Sequence, residues 1–276
     1  MTYQSLLAWG KEKLKESGIE EYDLDAWLLL SYCSGLDRGQ FFLKALDSVK
    51  EEEESSYKAF IVKRQSHIPL QHITHQAFFM GLEFWVDKHV LIPRQDTECL
   101  VERVLEVIKE DDKVLDMCTG SGCIALSIKK LAPGVKVTGV DVSKQALLVA
   151  EKNSQKLGEK VTWVCSNLFD QIKDSYDIIV SNPPYIESKV IESLQEEVKE
   201  HDPRMALDGG EDGLYFYREI GKKALSYLKE RGWLFLEIGY NQKESVSCIL
   251  EENGFIKIHT YKDLAGFDRI VAGQKG

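Results

Sequence analysis

The stretch KVLDMCTGSGCIAL, residues 113–126, contains the pattern on which the fold prediction rests. An apolar run typical of a buried strand is followed at once by a glycine turn, and the turn leads into an apolar helical segment. A strand, a tight turn and a helix in immediate succession form the first half of a β-α-β unit. The stretch therefore predicts a parallel sheet with helices packed on its faces.

The same alternation continues towards the carboxyl end of the chain. Further strands are predicted in VKVTGVDVS, VTWVCSN, YDIIVSN and GWLFLEIG, with helical segments such as KQALLVAEKNSQKLG between them. The last two strands, FIKIHTYKD and FDRIVAG, are joined by too short a segment for a helical crossover and are expected to be antiparallel. We therefore predict the α/β class, with a Rossmann-like, mostly parallel sheet and an antiparallel last strand.

The region before this sheet differs in character. Residues 1–66 have apolar positions at helical spacing, as in Ala26, Leu29, Leu30 and Cys33. Aromatic and β-branched residues then replace that period between Phe78 and Val86 and predict a β-hairpin, and residues 96–109 predict a helix capped by Asp96 or Thr97. We predict a helical domain at residues 1–72, a hairpin linker at residues 73–94 and an α/β domain at residues 95–276.

Composition and charge narrow the class of protein. The 276-residue chain has a net charge of −10 and a pI near 5.2, which weighs against general nucleic-acid binding because such affinity comes largely from Lys and Arg. No stretch approaches the roughly 18 apolar residues of a membrane span. Six scattered cysteines without a CxxC pair indicate free thiols in a reducing compartment. We predict a cytoplasmic monomer with no nucleic-acid or membrane partner and no metal, because His67, His72 and His75 lack a ligand spacing.

The glycine turn predicts a cofactor site. Gly120 and Gly122 allow the backbone to approach a ligand without a Cβ in the way, and GSGCIA fits the dinucleotide pattern G-x-G-x-x-A. Asp141 follows Gly122 by 19 residues at the end of the second strand, where a carboxylate can accept both hydroxyls of a ribose. An adenosine-containing cofactor is therefore expected, and this motif does not separate NAD from S-adenosylmethionine.

The stretch SNPPYIES, residues 181–188, predicts the reaction. Pro183 and Pro184 stiffen the loop after a core strand, so the Asn182 side chain and the Pro183 carbonyl form a fixed pair of acceptors. Such a pair matches an NH₂ group, and Tyr185 offers a flat face to the planar group that carries it. This arrangement suits attack of an amide or exocyclic amine on the methyl group of a sulfonium, and it has no use in hydride transfer.

These motifs resemble a known family. The segments SNPPY, DMCTGSGCIAL and VTGVDVS resemble amino methyltransferases of the class I S-adenosylmethionine fold. The segments PLQHIT, FFMGLEFWVDKHVLIPRQDTE, DPRMALDGGEDGLYFYREI, GWLFLEIGYNQ and DLAGFDRIV are similar to the bacterial peptide chain release factor glutamine methyltransferases, the HemK/PrmC family.

The resemblance implies methylation of N5 of the glutamine in the Gly-Gly-Gln motif of class 1 release factors, with S-adenosylhomocysteine as the product. It implies that the helical domain contributes to docking of the release factor. The residues implied to bind the glutamine are Asn182, Pro183, Pro184, Tyr185, Arg94 and Glu98. The residues implied to bind the cofactor are Cys118, Thr119, Gly120, Ser121, Gly122, Asp141, Asn167, Leu168 and Asn182.

The chain departs from the family pattern at a few positions. Cys118 stands where the family often has glycine, and we expect an ordinary, negative φ there. Asn167 replaces a frequent Asp beside the adenine, and Gln95-Asp96 replaces a usual Pro-Glu.

Four other functions remain open at this point. They are a glutamine methyltransferase acting on a ribosomal protein, an adenine N6 methyltransferase of nucleic acid, an NAD-dependent oxidoreductase and a cofactor-binding module without catalysis. The acidic charge and the small helical domain weigh against the second.

Overall fold

The computed structural model describes residues 1–276, which divide into two compact units. The first unit comprises residues 1–75 and 196–201 and is helical, as the apolar spacing predicts. Its helices are α1 (Tyr3–Glu16), α2 (Tyr22–Ser34), α3 (Arg38–Lys44), α4 (Glu51–Gln65), α5 (Leu70–Thr74) and α9 (Glu196–His201).

Tyr57 organises the core of this helical unit. Its ring is fully buried, and its hydroxyl donates to the Ala26 carbonyl at 3.1 Å, so α4 is tied to α2. A Cβ at Gly10 would lie 2.0 Å from the Tyr57 hydroxyl oxygen, so α1 can pack this closely only with glycine there. Buried leucines from α1 and α2 complete the core around the ring.

The second unit comprises residues 76–195 and 202–276 and contains the predicted sheet. Its strands are β1 (Gln76–Phe79), β2 (Leu82–Trp85), β3 (Lys113–Met117), β4 (Lys136–Asp141), β5 (Thr162–Cys165), β6 (Tyr176–Ser181), β7 (Leu228–Glu237), β8 (Ile256–Lys262) and β9 (Asp268–Gln274). Its helices are α6 (Glu98–Val107), α7 (Cys123–Leu131), α8 (Lys144–Leu157), α10 (Arg204–Leu207), α11 (Tyr215–Tyr227) and α12 (Lys243–Glu252).

Strands β3 to β9 form one sheet in the order β5-β4-β3-β6-β7-β9-β8. The pairs from β5 to β7 are parallel, and β9 runs antiparallel to both of its neighbours, as the short final connection predicts. Separate apolar clusters cover the sheet: one includes Leu100 and Ile124, and the other includes Tyr217 and Val246. A sheet buried on both faces is typical of parallel α/β folds.

The predicted hairpin is present, and it packs within the second unit. Strands β1 and β2 pair through a turn at Met80 and Gly81, both of which have positive φ. Phe79 and Phe84 are fully buried in the same apolar cluster as Leu100. The predicted boundaries at residues 72 and 94 remain a prediction.

The helix predicted at residues 96–109 spans Glu98–Val107 and follows a short 3-10 turn at Gln95–Thr97. Thr97 occupies the N-cap position, as predicted, but its side chain forms no cap hydrogen bond. Its hydroxyl instead accepts a hydrogen bond from the Asn182 side chain. No helix is both long and apolar enough to cross a bilayer.

Candidate active site

Strand register brings three parts of the candidate site to one edge of the sheet. Met117 is paired with Val140 on one side and with Ser181 on the other, all in parallel strands. The next residues, Cys118, Asp141 and Asn182, therefore lie level at the carboxyl ends of β3, β4 and β6. Ligands in open parallel sheets bind at this edge.

The turn after β3 opens towards a cleft at Gly120. Its φ is +55°, and an added Cβ would meet no protein atom within 4 Å. Its N–H donates to Asp141 Oδ2 at 2.9 Å, which holds the turn against the end of β4. Gly120 is thus free to lie against a ligand, as the sequence predicts.

Gly122 is required for a reason that the sequence analysis did not identify. Its φ is +79°, and an added Cβ would lie 2.8 Å from the Trp163 ring and 3.1 Å from the Ala150 side chain. The neighbours that exclude a side chain are therefore residues of β5 and α8. Close packing of the protein therefore excludes a side chain at this position.

Cys118 contradicts the prediction of an ordinary φ. Its φ is +62°, the left-handed region that a residue with a Cβ adopts at a cost of about 1–2 kcal/mol. The turn therefore keeps a glycine-like backbone although the residue is cysteine. Burial raises the pKa of the Cys118 thiol, so the group is neutral at physiological pH.

This strain predicts a difference between two substitutions at position 118. Cys118→Gly is expected to change the free energy of unfolding by less than about 1 kcal/mol, because strain relief offsets the added freedom of the unfolded chain. Cys118→Val is expected to cost about 2 kcal/mol or more, because a β-branched side chain disfavours positive φ most. Urea unfolding of the two variants measures the difference, and equal stabilities would contradict the strained turn.

Asp116 is a residue that holds the turn and that the sequence analysis missed. It is fully buried in β3, and its Oδ2 accepts from the Thr119 hydroxyl at 2.5 Å and from the Ala125 N–H at 3.1 Å. Burial raises its pKa to about 7, partly offset by these two hydrogen bonds. Asp116 therefore joins the turn to the first turn of α7. An acid inside an apolar strand, four residues before Gly120, is the signal that could have indicated it.

Asp141 presents a carboxylate at the end of β4. Its two oxygens accept from the backbone N–H groups of Gly120 and Ser143, at 2.9 and 2.8 Å. Burial raises its pKa, and these backbone hydrogen bonds oppose the rise. Each carboxylate oxygen has a second lone pair, so the group can still accept from a ribose hydroxyl.

Asn182 is half-buried at the end of β6, between two buried prolines and the cleft. Its Nδ2 donates to Thr97 Oγ1 at 3.2 Å. Because the amide nitrogen is used on the protein side, Oδ1 is the atom left to accept a hydrogen bond from a substrate.

One solvent-open cleft of about 930 Å³ joins the predicted cofactor and substrate residues. The predicted residues that line it are Arg94, Cys118, Thr119, Gly120, Ser121, Asp141, Asn167, Leu168, Asn182 and Pro184. Cleft residues that the sequence analysis did not identify include Leu91, Pro203, Met205 and Phe216.

Four predicted residues are absent from this lining. Gly122 packs on Trp163, and Glu98 accepts a hydrogen bond from the Met80 N–H at 2.6 Å. Pro183 is buried, and Tyr185 is half-buried against the apolar cluster that contains Tyr217. The predicted contacts of these residues with cofactor or substrate remain predictions. No group of three or more His, Cys, Asp or Glu side chains is placed to hold a metal ion.

The segment LDGGEDG, residues 207–213, holds the Asn-Pro-Pro-Tyr loop in place. The Ile186 N–H donates to the Leu207 carbonyl at 3.0 Å, and the Gly209 N–H donates to the Ile186 carbonyl at 2.8 Å. The buried Gln242 side chain donates to the carbonyls of Tyr185 and Gly213, at 2.9 and 3.2 Å. The loop is therefore fixed from outside as well as by its prolines.

The sheet order, the glycine turn beside Asp141 and the Asn-Pro-Pro-Tyr loop define a Rossmann-like methyltransferase. The protein-family model described as methyltransferase small domain matches residues 95–225, and the model described as PrmC N-terminal domain matches residues 5–74.

Curated relatives define the family more narrowly. The chain is 41% identical over 276 residues to a release factor glutamine methyltransferase of Geobacter sulfurreducens, covering 100% of this chain and 97% of the relative. It is 42% identical over 279 residues to one of Clostridium acetobutylicum, covering 95% of each. The chain belongs to the release factor glutamine methyltransferase family.

Solved structures share the fold. A methyltransferase from Pyrococcus furiosus aligns with a TM-score of 0.54 and 17% identity, over 80% of this chain and 99% of that chain. A 16S rRNA methyltransferase from T. thermophilus, in complex with AdoMet and guanosine, aligns with a TM-score of 0.53 and 19% identity, over 73% and 50%.

Proposed function

We propose that this protein transfers a methyl group from S-adenosylmethionine to the side-chain amide N5 of the glutamine in the Gly-Gly-Gln motif of class 1 peptide chain release factors. The observation that carries the proposal is the single cleft that joins Asp141 at the end of β4 to Asn182 at the end of β6. The names of the relatives that match the whole chain support the release factor as substrate.

The residues of the cleft fit the proposed cofactor. Gly120 offers open space where a side chain would stand, and Asp141 offers a carboxylate one strand away. Asn167 and Leu168 line the same cleft after β5, where the adenine is expected. When bound, S-adenosylmethionine supplies a methyl group attached to a positively charged sulfur.

Asn182 and the Pro183 carbonyl orient the proposed nucleophile. An amide nitrogen is weakly nucleophilic because its lone pair is delocalised. Two fixed acceptors for its two N–H groups both aim this nitrogen and enrich its lone pair. Fixing the reacting atoms in this way is a large source of rate enhancement, since well-oriented reactions gain up to about 7–11 kcal/mol. The chain therefore contributes positioning and electrostatics, without a covalent intermediate on the protein.

The proposal also includes the predicted localisation, oligomeric state and partners. We propose a cytoplasmic monomer that binds its protein substrate without a nucleic-acid partner. The helical unit is proposed to contribute to docking of the release factor, with Arg94 and Glu98 close to the bound glutamine. Arg94 lines the cleft, and its guanidinium donates to Asp202 Oδ2 at 2.8 Å.

The test is transfer of labelled methyl groups to a purified class 1 release factor. Label is expected on the wild-type factor and to be absent from a variant with Ala in place of the Gly-Gly-Gln glutamine. Label on that variant would contradict the substrate assignment. Label on ribosomal protein with none on the release factor would instead support the alternative glutamine methyltransferase.

A further inference from the structure

The donors of the Asn182 carboxamide face the protein interior. Its Nδ2 donates to Thr97 Oγ1, and hydrogen bonds from the Asn182 and Thr97 side chains favour the ionised form of the Glu237 carboxyl. Strand register explains this proximity, because Ser181 on β6 is paired with Leu236 on β7. Asn182 and Glu237 are the next residues of these parallel strands, so they lie level at the same edge.

We propose that Glu237 is a positioning residue that acts with Thr97 to hold the Asn182 carboxamide with Nδ2 towards the interior and Oδ1 towards the cleft. This inference rests on the proposed methyl transfer, in which Oδ1 accepts from the substrate amide. Glu237 itself is absent from the cleft lining, so it acts through Asn182.

The chemistry of an ionised carboxylate explains why this position has a glutamate. An ionised carboxylate only accepts hydrogen bonds, whereas an amide or a protonated carboxyl can accept and donate. A Thr97 hydroxyl that donates to this carboxylate has only its lone pairs left for Asn182. Thr97 can then accept a hydrogen bond only from Nδ2 of the amide. The amide orientation with Oδ1 towards Thr97 is therefore disfavoured.

The surroundings of Glu237 leave it dependent on these partners. The residue is only 2% exposed, and its Oε2 has no hydrogen-bond partner. Arg269 on β9 forms ion pairs with Asp96 and Asp263, at 3.1 and 3.0 Å, and not with Glu237. The titratable or charged groups that face the carboxyl from the packed elements are Asp96, Cys99, Cys123, Tyr185, Tyr217 and Arg269.

Burial raises the pKa of Glu237 to about 7, opposed by Thr97, Arg269 and Asn182. Because this pKa is raised above the value of the unfolded chain, the stability from this group is complete below about pH 4.5 and is lost as pH rises through about 7. The ionised form that orients Asn182 is thus the form that weakens the fold. Such a trade between activity and stability is common at functional sites.

A matched pair of substitutions at Thr97 tests the geometry. Thr97→Val keeps the shape without the hydroxyl and is expected to lower kcat about tenfold, the usual scale for one hydrogen bond. Thr97→Ser keeps the hydroxyl and is expected to stay within about threefold of wild type. Kd for S-adenosylmethionine should be unchanged in both. Equal kcat values for the Thr97→Val and Thr97→Ser variants would overturn the proposal.

Glu237→Gln separates positioning from a merely structural role. The variant is expected to lower kcat about tenfold and to remove the rise of kcat with pH between about 6 and 8. Its Tm should exceed that of wild type at pH 8, with the difference closing towards pH 5. Glu230→Gln on the exposed part of β7 is the control and should change neither property. A Tm below wild type at pH 8 would assign Glu237 a structural role instead.

A readout independent of turnover distinguishes failure of this inference from failure of the proposed function. The side-chain NH₂ resonances of Asn182, labelled with ¹⁵N, are expected to shift with a midpoint near pH 7 in wild type and to be flat in Glu237→Gln. If they shift in wild type while no release factor is methylated, the positioning stands and the substrate assignment fails. If these resonances do not shift with pH in the wild-type protein, the inference is wrong, whatever the methyl-transfer activity.

Discussion

Asn182→Ala is expected to lower kcat for methyl transfer by about 10²–10³-fold, the usual loss when one preorganised hydrogen-bonding group is removed from an active site. The variant loses the Oδ1 acceptor at the end of β6 and leaves Thr97 without its Nδ2 donor. Asp141 and the glycine turn are untouched, so Kd for S-adenosylmethionine should change less than about threefold. Single-turnover transfer and equilibrium dialysis measure the two quantities separately.

Asn241→Ala is the matched control for this prediction. Asn241 is exposed in the loop after β7 and does not line the cleft, so its removal should leave transfer at the wild-type rate. Near wild-type transfer by Asn182→Ala would remove its assigned role in orienting the amide. A large loss of cofactor affinity in that variant would instead make Asn182 chiefly a cofactor contact.

The alternation of strands and helices was enough to predict that Cys118, Asp141 and Asn182 meet at one edge of the sheet. In parallel strands with aligned registers, the residue after each strand falls at a common edge, so Cys118, Asp141 and Asn182 could be grouped from the sequence. Each of these residues follows an apolar run directly, which makes the end of the strand easy to locate. The helical region and the hairpin were also predictable, because the spacing of apolar residues in the helical region differs from that in the hairpin.

The side-chain partners of the site were not predictable, because they come from distant parts of the chain. The Asn182–Thr97 hydrogen bond joins residues 85 positions apart, and a local pattern assigned Thr97 to helix capping. The packing of Gly122 on Trp163 was not predicted, because Trp163 lies on another strand. Cys118 was expected at negative φ from its residue type, although its backbone is left-handed, with a φ of +62°.

Gly209→Ala is expected to lower kcat/KM by about 10²-fold and to cost about 1–3 kcal/mol of stability. An added Cβ would lie 2.8 Å from Tyr185 Cα and 2.9 Å from the Pro184 carbonyl oxygen. Both contacts are with backbone atoms, which cannot move aside as a flexible side chain can. The Asn-Pro-Pro-Tyr loop must therefore shift, and misplacement of about 1 Å can cost 10²-fold in rate.

The geometry at Gly209 makes this substitution a test of loop position and not of backbone strain. Gly209 does not have a positive φ, so alanine can adopt its conformation and only the contact with the loop is penalised. Gly39→Ala in α3 is the control, because its added Cβ would meet nothing closer than 3.4 Å, and it should be neutral or slightly stabilising. Kd for S-adenosylmethionine should stay near wild type in both variants, since Gly209 does not line the cleft. Wild-type kcat/KM in Gly209→Ala would show that the position of the loop does not limit the reaction, which would also weaken the role proposed for Asn182.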